Sequence, residues 1–132
     1  MIAEGTFEVS DFTPGDTVAA IVTALPTGHS TMRKTYSGAV DGHSLTQFSA
    51  AFDQARGVGT YVALESFEGT LDGRSGAFNF LHSASTTGSD RTDYVGRIVP
   101  ESGTGELATI AGQAELRIDP DGTHVIRFDY TL

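Results

Sequence analysis

Side-chain character changes with a period of two along several stretches of this chain. From Thr60 to Phe67 the odd positions are Tyr61, Ala63, Glu65 and Phe67, and from Ala77 to Ser83 the even positions are Phe78, Phe80 and His82. Near the C-terminus Ile126, Phe128, Tyr130 and Leu132 alternate with Val125, Arg127, Asp129 and Thr131. A period of two sends successive side chains to opposite faces of a strand, which predicts half-buried antiparallel strands. Strands are expected at 3–10, 30–39, 43–53, 58–71, 74–84, 91–99, 111–119 and 123–131. No long helical period interrupts them.

Turn signals divide these stretches. Asp41-Gly42, Asp72-Gly73 and Asp121-Gly122 each sit between strand-like flanks. Asp-Gly supplies the positive φ angles of a tight type I′ hairpin, so each pair predicts a turn. The strand at 58–71 is long enough for a bulge near Gly69. Asp11 to His29 contains Pro14, Gly15, Pro26 and Gly28 and reads as a long connection, with a strand inside it left open. Ser102 to Leu107, followed by Ile110, reads as a loop with one helical turn.

About eight short strands predict an all-β fold: a single small closed antiparallel barrel spanning 1–132. Closure removes the exposed edges that a sandwich has to blunt. No Cys-Trp-Cys core is present to support an immunoglobulin-type sandwich.

Composition narrows the function classes. The net charge of −9 disfavours nucleic acid and anionic membranes as partners, because no basic stripe exists to neutralise phosphates. The chain has no cysteine, which excludes disulfides, thiolate nucleophiles and Cys-ligated zinc. It also fits a reducing, cytoplasmic setting. The N-terminal Met1-Ile2-Ala3-Glu4-Gly5 shows no signal-peptide pattern. The longest apolar-leaning run, Val18 to Leu25, is too short to span a bilayer, which takes ~20 residues.

The run from Tyr61 to Phe78, with Leu71-Asp72-Gly73-Arg74-Ser75-Gly76 at its centre, resembles an uncharacterised bacterial family of short proteins with an allene-oxide-cyclase-like barrel. Lys34-Thr35-Tyr36-Ser37-Gly38, His82-Ser83, Pro100 with Ser102 to Leu107, and Phe128-Asp129-Tyr130 extend the match from about Met32 to the end. Thr13 to Thr31 departs from the pattern. The resemblance implies an eight-stranded barrel, often a homo-oligomer. It implies no particular reaction, and transfer from the cyclases of the wider superfamily is analogy.

The strongest candidate for chemistry is Glu65 with His82. A two-residue turn at Asp72-Gly73 places Glu65 opposite Phe80 and His82 opposite Ala63, making the pair diagonal neighbours on the aromatic face. A Glu there is expected to have a raised pKa and to serve as acid or base, with His82 sharing or orienting the proton. The competing reading is structural: the two satisfy one another, or a bulge turns Glu65 to solvent. Tyr36, Tyr61, Tyr94 and Tyr130, with Phe67, Phe78, Phe80 and Phe128, are candidate ligand-binding residues. Buried aromatics are also ordinary core. No metal site is expected from His29, His43, His82 and His124, and no phosphate loop from Gly103-Thr104-Gly105.

Three functions stay open. The first is a cofactor-independent cyclase or isomerase that holds a small hydrophobic molecule in the barrel and works by preorganisation. The second is a barrel that binds such a ligand without chemistry. The third is a structural module. The interior decides among them: Phe7, Phe48, Phe52, Phe67, Phe78, Phe80, Ile126, Phe128 and Tyr130 fill it, or Ala50, Ala63 and Ala114 leave a cavity.

Overall fold

The computed structural model of the chain describes residues 1–16 and 19–132. Eight strands follow one another: β1 (Ile2–Pro14), β2 (Thr27–Gly38), β3 (Val40–Asp53), β4 (Val58–Leu71), β5 (Arg74–Thr87), β6 (Arg91–Ile98), β7 (Ala111–Ile118) and β8 (His124–Thr131). Each pairs antiparallel with its sequence neighbour, and β1 also pairs with β8, so the sheet runs round in a ring. A 3-10 turn, Gly105–Leu107, stands where one helical turn is expected. Among the described residues no helix is long and apolar enough to cross a membrane.

The first connection is shorter than the sequence suggests. β1 runs on to Pro14 and β2 begins at Thr27, after a shift in register between Ser10 and Thr13. Thr17 and Val18, inside that expected connection, lie outside the described residues.

Of the three Asp-Gly pairs, Asp72-Gly73 forms the two-residue hairpin, with φ of 50° and 82°. Asp121-Gly122 belongs to a longer loop, closed by the Asp119 N–H donating to the Thr123 carbonyl at 2.9 Å. Asp41-Gly42 is not a turn. It lies within β3, opposite Thr70 and Gly69, while the chain reverses around Ala39. The expected bulge near Gly69 is absent too, and register runs unbroken across β3, β4 and β5. A different constraint explains these glycines. A Cβ on Gly42 would lie 2.2 Å from the Glu68 carbonyl oxygen, and one on Gly69 2.0 Å from that of Asp41. The backbones touch there, and no side chain fits.

Inward positions build two regions. Phe67, Phe78, Phe80, Phe128 and Tyr130 are all buried and pack with Leu71, Ile98 and Ile126. Phe128 meets Phe78 and Phe80 edge-on, at 5.3 and 5.1 Å between ring centroids. The segment between β6 and β7 adds buried Leu107 and Ile110 to this core. It is pinned where Ser102 Oγ accepts the Asn79 N–H and Thr104 Oγ1 accepts the Ala77 N–H, both at 3.0 Å. At the other end the walls stay open: Phe52, expected inside, is an exposed rim residue, and Phe48 is half-buried.

The ring is weakest between β6 and β7, where register pairing is confined to Arg97 and Gln113. Side chains replace the missing ladder. The Tyr94 hydroxyl donates to the Ala114 carbonyl at 2.9 Å and accepts the Leu116 N–H at 3.0 Å. Arg91 lies 4.4 Å over the Tyr94 ring and donates to the Leu116 carbonyl. Replacing Tyr94 by Phe leaves two backbone groups unpaired, so urea denaturation should show a loss of about 1–3 kcal/mol. Exchange of the Leu116 amide should accelerate. Unchanged stability and protection would mean that the seam is held by something else.

Candidate functional site

The Asp72-Gly73 hairpin sets the register of β4 and β5: Glu65 faces Phe80 and His82 faces Ala63. Both side chains point inward and both are buried, Glu65 completely at 0% exposure. His82 Nε2 lies 2.6 Å from Glu65 Oε2. The alternative in which a bulge turns Glu65 to solvent does not occur.

Glu65 has three further partners from neighbouring strands. Lys34 Nζ in β2 donates to Oε2 at 2.6 Å. The Tyr36 hydroxyl, also in β2, donates to Oε1 at 2.6 Å, and Ser44 Oγ in β3 donates to Oε1 at 2.7 Å. Lys34 is itself buried, its ammonium 4.9 Å over the Phe7 ring. A charge inside a protein is tolerated only when paired and hydrogen-bonded, and both conditions are met here.

These partners reverse the expectation for the Glu65 proton. Burial pushes the carboxyl up, but the His82 hydrogen bond, the Lys34 charge and the charge of His82 in its protonated form outweigh it and lower the pKa to about 2. Glu65 is therefore a fixed carboxylate at neutral pH, not a poised acid or base. The same burial, with the Glu65 charge beside it, raises the Tyr36 hydroxyl far above its ordinary range. Tyr36 is a hydrogen-bond donor and stays protonated.

One further contact leads outward. The Tyr61 hydroxyl lies 2.9 Å from His82 Nδ1, the ring nitrogen that faces away from Glu65. Burial first, then the Tyr94 hydroxyl, pushes the Tyr61 pKa up to about 12. Tyr61 also lines a cleft of about 490 Å³ at the open end, with Phe48, Ala50, Phe52 and Ala84 among its apolar walls. Phe48 stacks nearly parallel on Tyr61, 5.2 Å between centroids and 12° between planes. Among the residues of the cluster around Glu65, Tyr61 alone reaches this cleft.

The remaining expected ligand contacts are distributed differently. Phe67, Phe78, Phe80 and Phe128 are packed into the core and line no part of this cleft. Tyr36 is bound to Glu65, and Tyr94 is spent in the seam between β6 and β7. Tyr130 sits at the far end, donating to Asp72 Oδ2 at 2.6 Å. Among the described residues no group of three His, Asp or Glu is placed to hold a metal ion.

Lys34 and Ser44 give no direct signal in the sequence as partners of Glu65, and Ala84 none as a cleft wall, whereas Phe48, Ala50 and Phe52 stand among the expected interior residues. Lys34 shares parity with Tyr36, which is the one available hint. Its strand carries polar residues on both faces, so alternation there reveals nothing.

Thr46 is also buried, at 0% exposure, and its Oγ1 has no hydrogen-bond partner among the described residues. It pairs in register with Glu65, so two neighbouring variants give a sharp contrast. Glu65→Gln removes the counter-charge of buried Lys34 and should cost about 3–5 kcal/mol in urea denaturation. Thr46→Val removes an unpaired hydroxyl at nearly constant shape and should change stability by less than about 1 kcal/mol, in either direction. Equal losses at the two sites would contradict this account.

Comparison with known proteins follows the fold closely and is silent on chemistry. No curated protein matches the chain in sequence. A solved structure from Shewanella oneidensis MR-1, described as a protein of unknown function from the DUF3224 family, has a TM-score of 0.88 and 29% identity. The match covers 100% of this chain and 96% of that one. The model of a family described as a protein of unknown function, DUF3224, matches residues 3–130, nearly the whole chain. The chain belongs to the DUF3224 family.

Proposed function

We propose that this protein binds a small, mainly apolar molecule in the cleft at the open end of the ring. The observation that carries this reading is the cleft itself, about 490 Å³ with Phe48, Ala50, Phe52 and Ala84 in its walls, and with Tyr61, Asp90 and Arg91 among its polar lining. Small-molecule sites are of this kind: concave, largely apolar, of ~300–1,000 Å³, with few polar groups.

Cofactor-independent isomerisation or cyclisation is the second reading. It rests on the chain of contacts from Tyr61 through His82 to Glu65. In that reading Tyr61 is the residue that touches substrate, and His82 and Glu65 act through it as positioning residues. Preorganisation of a flexible substrate against the Phe48 and Tyr61 rings would supply most of the rate. The ring is read as a closed barrel of the allene-oxide-cyclase type, which the unbroken up-and-down strand order supports. Association of copies belongs to the same reading and draws on Leu45, Val62 and Leu64, exposed on the outside of β3 and β4. A cytoplasmic setting is consistent with the absence of cysteine.

Nile red, a neutral apolar dye, tests the binding reading. Its emission should rise, shift to the blue and saturate as the protein is added. Ala50→Trp, which fills the cleft, should weaken binding at least tenfold. Absence of saturable binding, or equal binding by the variant, would remove the cleft as the site.

A further inference from the structure

We infer that the molecule bound in the cleft presents a hydrogen-bond donor, a hydroxyl on a flat apolar ring, to the oxygen of Tyr61. This deepens the binding reading above and rests on it.

Glu65 sets the direction of every hydrogen bond that leads to the cleft. An ionised carboxylate only accepts hydrogen bonds. Its Oε1 already receives the Tyr36 and Ser44 hydroxyls, and its Oε2 the Lys34 ammonium. His82 Nε2, 2.6 Å from Oε2, must therefore carry a hydrogen and donate it. A carboxylate bonded to one ring nitrogen selects the tautomer of the other.

Charge balance decides that other nitrogen. Glu65 supplies one negative charge and Lys34 one positive, in contact and both buried. With a neutral imidazole the buried cluster sums to zero. A second imidazole proton would leave a net positive charge inside the ring, where an uncompensated charge is costly. Nδ1 is then bare and acts as an acceptor.

The donor to Nδ1 is the Tyr61 hydroxyl, 2.9 Å away. A phenol has one hydrogen, and here it is spent inward. What Tyr61 offers the cleft is an oxygen acceptor. A carbonyl or ether oxygen would meet lone pairs, whereas a hydroxyl would donate to them. Phe48, stacked on Tyr61, adds a flat apolar wall suited to a planar ring, while Asp90 and Arg91 also line the cleft. The chemical class is a hydroxylated planar hydrophobe, a phenol or an enol.

Paired probes separate the two polarities. 2-Naphthol donates from its hydroxyl, whereas 2-methoxynaphthalene of nearly the same shape only accepts. The wild-type protein, titrated by fluorescence with each, should prefer 2-naphthol by about five- to tenfold after correction for partition from water, the value of one hydrogen bond. Tyr61→Phe should abolish that preference, the two probes then binding with equal affinity. Equal affinities in the wild type, or a preference that survives in the variant, would overturn the inference while leaving the cleft as a binding site. Failure of both probes to bind would overturn the cleft reading and this inference together. A ligand-free check is the 15N spectrum of His82, which should show hydrogen on Nε2 alone. Hydrogen on Nδ1 would overturn the inference.

Discussion

A carboxylate sealed inside a ring of aromatic residues has to find donors, and Glu65 finds four. Lys34 and Tyr36 reach it from β2, Ser44 from β3 and His82 from β5. Four adjacent strands are tied to one side chain. A slip of any of them by one residue would turn its donor to the outer face and leave a buried charge short of a partner. The apolar core supplies much of the folding energy, as cores do, but it tolerates rearrangement of equal volume. The bonds to Glu65 are less permissive, because each depends on a named atom at a set distance.

That constraint divides the ring. Beyond the Glu65 cluster, towards the Asp72-Gly73 turn, the interior is solid: aromatic rings meet edge to face and the segment carrying Leu107 and Ile110 joins them. On the other side the walls are Phe48, Ala50, Phe52 and Ala84, and they leave space. Tyr61 stands at the boundary, lining the cleft and touching His82. A ligand in the cleft would feel Glu65 only through those two residues. The carboxylate sets polarity at a distance and need not be exposed to do so.

Legibility in the sequence followed physical cause. The Asp72-Gly73 turn was readable because a two-residue hairpin leaves no freedom in register, and Glu65 and His82 follow from it by counting. The same dipeptide at Asp41-Gly42 misled, because glycine is needed there for the close approach of Gly42 to β4 rather than for a turn. Lys34 and Ser44 were obscure for another reason. Both strands place polar residues inward at this level, so hydrophobic alternation disappears where the cluster forms. Without those donors in view, Glu65 seemed desolvated and poised to take a proton. With them it is held ionised. The cleft was also hidden, since the same aromatic residues can fill a ring or line it, and only the positions of Phe48 and Phe52 at the rim decide the matter.

The charge of one side chain, Glu65, holds these contacts together. Labelling Glu65 with 13C and following its carboxyl resonance through an acid titration reads that charge directly. The carboxylate should persist well below the usual glutamate value of 4.5 and take up its proton at about 2, unless the fold is lost first. Because the folded pKa is depressed, its stabilising share is complete above the unfolded value and fades as pH falls towards the folded one. A Glu65 resonance that titrates at 4.5 or higher in the folded protein would contradict the account. The side chain would then be the poised acid that its donors are held here to prevent.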